Sequence, residues 1–364
     1  MAEIHLKNLA HSYLPNPQGP DDYALKEIDL VWEDGKAYAL LGSSGCGKST
    51  LLNIISGLVH PSQGQVLFDG QDVTALSTDK RQIAQVFQFP VVYDTMTVYD
   101  NLAFPLRNGG HDEATVQERV TDIAGMLELS DVLKTKANGL TADAKQKISL
   151  GRGLVRQNVA AILFDEPLTV IDPHLKWLLR MQLKALHQRV HNTMIYVTHD
   201  QTEALTFADQ VVVMYDGYVV QMGTPEALFD YPEHTFVGYF IGSPGMNVLP
   251  AQIEGKTAHI AGQTIALNHH YDINPQQSDK VELGIRPEFA QLKRESSAHS
   301  LPVQVRRIED IGRHQIARVL LNEQEVSVIV PEDQAVSTEY THLSFDPAHI
   351  HIYVNDWRVP GEAK

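Results

Sequence analysis

Cysteine is almost missing from this chain, with one residue among 364. That excludes an internal disulfide framework and fits a reducing compartment. Long apolar runs are missing too. No stretch approaches the roughly 18 consecutive apolar residues that a membrane-spanning helix needs. The opening MAEIHLKNLAHSY lacks the apolar segment of a secretory leader. A soluble chain is therefore expected, one that can still dock on something that is not. Dense blocks of Lys and Arg are also lacking. The 29 basic residues face 45 acidic ones, a net charge of −16 and an isoelectric point near 5.4. Nucleic-acid binders usually carry a basic face, so this balance argues against that class. No internal repeat or low-complexity segment is present.

What is present supports real cores: 43% of the residues are hydrophobic, over a length that suits two domains. The first two thirds alternate strand-like and helix-like segments. Residues 4–9, 25–33, 36–42, 64–70, 81–88 and 159–167 read as strands. Residues 112–129 (with Val116, Val120, Ile123 and Leu127 on one face) and 144–156 read as helices. LLRMQLKALHQR, TMIYVTHD and QTEALTFA continue as helix, strand and helix, and VVVMYDGYVVQMG forms a hairpin turning at Asp216-Gly217. VAAILFDEP is apolar throughout until its two carboxylates, the pattern of a strand buried on both faces in an α/β layer. Near residue 240 the texture changes to short β-like runs between turns, which predicts a second, all-β domain. The domains are expected at 1–240 and 241–364, with the boundary within ten residues of 240.

GSSGCGKST (Gly42, Ser43, Ser44, Gly45, Cys46, Gly47, Lys48, Ser49 and Thr50) fits the phosphate-loop pattern G-x-x-x-x-G-K-[ST]. Glycines let backbone N–H groups turn toward phosphates, and the helix that follows adds its positive end. Lys48 is expected to reach the β- and γ-phosphates, with the Ser49 hydroxyl on Mg²⁺. ILFDEP supplies Asp165, expected to hold Mg²⁺ through water, and Glu166, expected to polarise the attacking water as a general base. Gln88 ends the predicted strand AQVFQ and suits water orientation and Mg²⁺ ligation, although such a glutamine is often plain turn polarity. His199 ends the strand of MIYVTHD, where a histidine can hydrogen-bond a γ-phosphate. The expected cofactors are ATP and Mg²⁺.

In order and spacing these motifs resemble, over essentially the whole chain, the ATPase subunits of ABC importers of the carbohydrate, polyol and glycerol-phosphate class. VFQFPVVYDTMTVYDNLAFPL resembles the Q-loop and the region that receives the permease's coupling helix. LGRGLV, AAILFDEPLTVID and YVTHDQTEAL resemble the helix after the signature, Walker B with the D-loop, and the H-loop. VELGIRPEFA and SFDPAHIHIY resemble recurring phrases of the C-terminal domain. The resemblance implies an α/β P-loop ABC-type ATPase domain followed by a smaller all-β oligonucleotide-binding-like regulatory domain. It implies that Tyr13 stacks on adenine, with Tyr23 a weaker rival. It implies ATP hydrolysis coupled to import on the cytoplasmic side of the inner membrane, transmembrane permease subunits, an extracytoplasmic solute-binding protein acting indirectly, and no nucleic acid as partner.

The sequence departs from that family where the signature L-S-G-G-Q-R-Q-R is expected. Residues Leu140 to Lys147 read LTADAKQK. Thr141 keeps the hydroxyl that the resemblance assigns to the γ-phosphate. Ala142 and Asp143 replace both glycines, and Asp143 brings negative charge toward a triphosphate. Like charges at about 4 Å repel by roughly 4 kcal/mol at an effective dielectric near 20, and Lys145 offers a partial offset. The D-loop, TVID, also differs from the family's SNLD. A heterodimer with a related ATPase chain is therefore favoured over a homodimer with two altered signatures. A mainly regulatory cassette with weak turnover is the alternative. A cassette acting on nucleic acid would predict basic arms or tandem cassettes, and the sequence has neither. Phe89, Val91, Val92 and Tyr93 can line a groove for the coupling helix or can be local loop packing. The solute is not legible from this chain.

Overall fold

The computed structural model describes residues 2–156, 159–169, 171–273, 279–297, 299–331 and 341–362. The chain divides into two compact units, Met1–Pro225 and Glu226–Lys364.

In the first unit, β1 (Ile4–His11), β2 (Leu25–Trp32), β3 (Ala37–Gly42), α1 (Lys48–Ser56), β4 (Gln63–Phe68) and β5 (Gln71–Asp72) come first. They are followed by β6 (Ile83–Val86), α2 (Val98–Asn108), α3 (Glu113–Met126), α4 (Ala142–Leu154), β7 (Ala161–Asp165) and α5 (Pro173–Val190). β8 (Met194–Thr198), α6 (Gln201–Phe207), β9 (Gln210–Tyr215) and β10 (Tyr218–Gly223) complete it. Two sheets result, one in the order β2-β1-β4-β5 and one in the order β10-β9-β3-β8-β7-β6. The neighbours from β6 to β9 run parallel in the second sheet, and β10 returns antiparallel. β3 and β8 are buried along their whole length, as strands covered on both faces must be. Ile4, Leu6, Trp32, Leu40, Leu51, Ile54, Leu163 and Val197 fuse the two sheets and α1 into one core.

Two features fix α1 in that core. Gly57, with φ +82°, ends it in the left-handed conformation, where glycine carries no Cβ penalty. Arg81, 1% exposed, then donates to the carbonyls of Ile54 (2.6 Å), Ile55 (3.0 Å), Thr74 (2.7 Å) and Leu76 (3.0 Å). A cation at the C-terminal end of a helix complements its dipole. The helix Val98–Asn108 is one that sequence periodicity did not reveal. Thr97 caps it by accepting from Asp100 N at 3.0 Å.

The second unit begins with two short helices, Pro225–Asp230 (whose first residue closes the first unit) and Thr235–Phe240. Arg286 secures both, donating to the carbonyls of Phe229 (2.6 Å), Leu228 (3.3 Å) and Ile241 (2.5 Å) and lying 3.9 Å from the Phe229 ring. The remainder is antiparallel β structure. One four-stranded sheet orders Asn247–Pro250, Val281–Ile285, His351–Val354 and Trp357–Val359. A long hairpin pairs Gln252–Ile260 with Gln263–Tyr271, and a three-stranded meander runs Gln304–Asp310, Gln315–Leu321, Gln324–Val330. A further small sheet joins Ala290–Lys293, His342–Phe345 and Leu301–Pro302. Leu249, Ile285, Val319, Val328, Leu343, Phe345 and Ile352 share one core. Among the described residues, no helix is long and apolar enough to cross a membrane.

Candidate functional site

The carboxyl ends of β3, β7 and β8 lie side by side, where ligands of open α/β sheets bind. The loop from Gly42 to Gly47 leaves β3 and runs into α1. Gly47 holds φ +100°, and a Cβ there would lie 2.6 Å from both the Ala24 carbonyl oxygen and Leu25 Cδ2. Gly45 holds φ +82° with open space around it, and a Cβ on Gly42 would run into the Met214 carbonyl. Lys48, the first residue of α1, donates to the carbonyls of Gly42 and Ser43 at 2.9 Å each. Cys46 turns its sulfur into the core, and burial pushes its thiol up.

Glu166 leaves β7 with φ 46°, a strained conformation for a side-chain-bearing residue, costing on the order of 1–3 kcal/mol. Its N–H donates to Val197 O at 3.0 Å, tying it to β8. Its Oε2 accepts from Thr169 Oγ1 at 3.3 Å and faces His199 Nδ1 at 3.1 Å. Both contacts fall on one oxygen, so Oε1 has no hydrogen bond among the described residues and is available for water. Asp165 faces Ser49 Oγ at 3.3 Å. Burial raises its carboxyl above the usual range, with Glu166 adding to the rise, while the Ser49 bond and Lys48 act against it.

A cavity of about 480 Å³ is lined by Tyr13, Ala24, Ser44, Gly45, Gly47, Lys48, Ser49, Thr50, Glu166 and His199. Tyr13 is 64% exposed and its hydroxyl lies 3.1 Å from Thr50 Oγ1. Tyr23, whose hydroxyl accepts from Gln63 Nε2, does not line it. Gly42, Ser43 and Cys46 form the loop behind the wall, and Asp165 lies just beneath. The donor chemistry suits Mg²⁺, which takes few protein ligands, all oxygen, and shares them with phosphates. Ser49 and Asp165 supply such oxygens, and the glycine cradle leaves room for the phosphates. Thr198 and Asp200, which flank His199 in sequence, are tied to each other and to Glu203. Glu203, 4% exposed, accepts from the Thr198 hydroxyl at 2.8 Å, and Asp200 N donates to Thr198 Oγ1 at 3.0 Å. Sequence reasoning gave Thr169 and Glu203 no role, since only the fold reveals what they face.

Two sequence-predicted residues lie apart from this cavity. The predicted strand 81–88 ends at Val86, because β6 pairs with β7 only as far as Val86 and Phe164. Gln88 therefore sits two residues past the strand, half-buried in a bend. Thr141 is the N-cap of α4, accepting from Ala144 N at 3.3 Å. Asp143 follows in the first turn of that helix, where a carboxylate stabilises the helix dipole. Lys145 does not offset Asp143. Its Nζ is committed to Asp94 Oδ1 at 2.8 Å. In the D-loop stretch, Val170 lies outside the described residues. Of the loop after Gln88, Phe89 and Val91 are exposed, Val92 is half-buried, and Tyr93 packs on Phe104 with the Arg152 guanidinium 4.7 Å from its ring. Phe87, Val91, Phe104, Arg152 and Arg156 help line a second cavity, of about 790 Å³.

Strand order, phosphate loop and paired carboxylates define a P-loop ATPase of the ATP-binding-cassette type. Comparison with known proteins agrees. Residues 25–169 match the ABC transporter family, and residues 242–289 match the MalK OB fold domain. The chain is 38% identical over 337 residues to the sn-glycerol-3-phosphate import ATP-binding protein UgpC of Yersinia pestis, covering 91% of this chain and 93% of that protein. It is 39% identical over 313 residues to the UgpC of Vibrio cholerae, covering 86% and 82%. Among solved structures it resembles cbiO1 of Clostridium perfringens, part of an ABC transporter complex, with TM-score 0.57 and 26% identity over 63% of this chain and 90% of that one. It also resembles a dimeric ATP-binding cassette captured with ADP and Pi after hydrolysis, with TM-score 0.54 and 28% identity over 61% of this chain and 98% of that one. The chain belongs to the ATP-binding subunits of ABC transporters. It is an ATPase that uses ATP with Mg²⁺, and membership brings association with permease subunits and a second ATPase subunit.

Proposed function

We propose that this chain powers import of a glycerol-phosphate-like or sugar-like solute through a membrane permease, from the cytoplasmic face. The observation that carries this reading is the single cavity in which Tyr13, the phosphate loop, Lys48, Glu166 and His199 converge, in a chain aligned with glycerol-3-phosphate import ATPases over nearly its full length. Tyr13 stacks on the adenine. The backbone N–H groups of residues 43–48 and the Lys48 ammonium hold the phosphates, with Thr50 at the edge. Ser49 and Asp165 would hold Mg²⁺, with Gln88 brought to them from the loop after β6, and the ion would neutralise charge on the β- and γ-phosphate oxygens. Glu166 takes the proton of the attacking water through Oε1, as the water oxygen bonds to the γ-phosphorus and the bond from that phosphorus to the β-phosphate oxygen breaks. His199 keeps Glu166 oriented and donates toward the γ-phosphate. Glu166→Gln in the assembled transporter tests this: uptake and ATP turnover should fall at least about 100-fold with ATP binding retained. Turnover at the wild-type level would refute it.

The facing ATPase is a different but related chain. Asp143 at the start of α4 already supplies the negative charge that this helix end would otherwise draw from a partner's phosphate. Two such ends in a homodimer would weaken both composite sites. Mass analysis of the purified complex should return two ATPase chains and the permease subunits. Equal ATPase activity for the isolated chain and the assembled transporter would overturn the heterodimer. The cavity beside Val91 and Arg152 is the groove that receives the permease's coupling helix.

A further inference from the structure

Gln146 is 0% exposed and sits on α4, five residues after Thr141, a rise of about 7.5 Å along the helix. Its Nε2 donates to two carbonyls, Pro167 O at 2.7 Å and Phe87 O at 3.3 Å. Those carbonyls belong to the loops that leave β7 and β6, just past the last ladder pair, Val86 with Phe164. The ladder has run out there, and one side-chain amide carries the cross-link between the two loops. Pro167 follows Glu166 directly, and Phe87 precedes Gln88 directly. The amide is thus one residue from each of two proposed hydrolytic groups.

Stability alone does not account for this choice of residue. Gln146 Oε1 is buried with no hydrogen-bond partner among the described residues, a cost of about 1–3 kcal/mol that an apolar side chain avoids. Only a group with two N–H donors can serve both carbonyls, because a carboxylate would repel them and an aliphatic chain would leave them facing nothing. α4 also grips the loop after Gln88 further along. Val91 N donates to Ser149 Oγ at 3.3 Å, and Arg152 Nη1 donates to Val91 O at 2.5 Å.

We infer that Gln146 is a positioning residue for both Gln88 and Glu166, and that it transmits engagement of the partner ATPase at the start of α4 to this chain's own hydrolytic site. This rests on the ATP-hydrolysing reading above. It adds a route within one chain: the altered face that meets the partner is bolted through Gln146 to the loops that handle water and metal in the same subunit. The altered signature therefore leaves this control intact.

The test is Gln146→Met in the assembled transporter, which keeps the volume and removes both donors. Turnover per bound nucleotide should fall about tenfold to a hundredfold, with the KM for ATP within about threefold, since the loop at 42–50 is untouched. A merely structural role would lower the folded fraction and leave turnover per bound nucleotide unchanged, and that result overturns the inference. Should Gln146→Met fail to fold, Gln146→Asn retains a buried amide too short to span both carbonyls. The same fall is expected, and wild-type turnover per bound nucleotide again overturns the relay. Hydrogen exchange on the purified full chain separates this inference from the reading beneath it. Faster exchange at residues 87–91 and 166–169 in the variant supports the relay even if the wild-type complex proves inactive, which would sink the ATPase reading alone. Unchanged exchange there overturns the relay whatever the turnover.

Discussion

Alanine at each of three glycines in the phosphate loop separates two physical costs that usually occur together. At Gly45 a Cβ meets nothing within 4 Å, but φ is +82°. Alanine there pays only the left-handed penalty, about 1–2 kcal/mol. At Gly42 φ is ordinary and the cost is steric, a Cβ driven into the Met214 carbonyl. At Gly47 φ is +100° and a Cβ lies 2.6 Å from the Ala24 carbonyl oxygen. Conformational strain of about 1–3 kcal/mol then adds to an overpacking cost of about 1–3 kcal/mol, roughly 4 kcal/mol together. Strain kept in the nucleotide-free loop appears as lost stability. Strain released by rearrangement appears as lost affinity when the loop must re-form. The two losses should therefore sum to the same total however the loop responds. Urea unfolding gives the first and titration with a fluorescent ATP analogue gives the second. For Gly47→Ala the sum should exceed that for Gly45→Ala by about 2 kcal/mol, a factor of roughly 30 in affinity if all of it appears in binding. Equal sums for the two variants would refute the claim that the Ala24 carbonyl, rather than φ alone, demands glycine at 47.

Other expectations follow from single groups. Arg81→Met removes four bonds to buried carbonyls and should cost about 3 kcal/mol, lowering the melting temperature by about 6–12 °C. Nucleotide affinity should hold within about threefold, since the phosphate loop lies at the far end of α1. Burial, and then the Arg358 charge, lowers the His351 imidazole to about 4 from 6.5. The unfolded chain therefore binds the extra proton between those values, and stability falls as pH drops from about 6.5 to 4, by up to about 3 kcal/mol. His351→Gln should flatten that slope in denaturant melts taken across the range. Asp165→Asn removes a carboxylate whose burial opposes ionisation, so the nucleotide-free protein should melt higher at pH 7 while Mg²⁺-dependent turnover is lost. Asp143→Asn should raise turnover of the assembled transporter while lowering the helical stability of this chain by under about 1 kcal/mol.

The sequence carried the α/β layer and the family because buried parallel strands such as AYALL and AAILF are continuous apolar runs, and because the phosphate loop has a fixed spacing. It did not carry the helix at 98–108. Pro105 lies inside that helix, and a proline there usually argues against one, although the Thr97–Asp100 capping pair was a visible signal. Lys145 looked like company for Asp143 because the two are near neighbours in sequence. Its true partner, Asp94, is 51 residues away, a distance that no local pattern spans. Gln146 matches the second glutamine of the family's signature pattern, but nothing in the sequence showed what its amide would meet. A buried glutamine in a helix reads as an ordinary polar residue until the fold brings two loop ends to its amide.

Arg286 has a consequence for how such chains can be recombined. Its guanidinium closes on carbonyls from both helices between Pro225 and Phe240, so those helices share their anchor with the β structure that follows. A chimera that borrows the C-terminal unit of a relative should fold when the junction falls at 225. A junction at 240 takes the arginine from one parent and its acceptors from the other, and tolerates only parents whose helices match. Crossovers in the history of these subunits should accordingly cluster ahead of the helices rather than behind them.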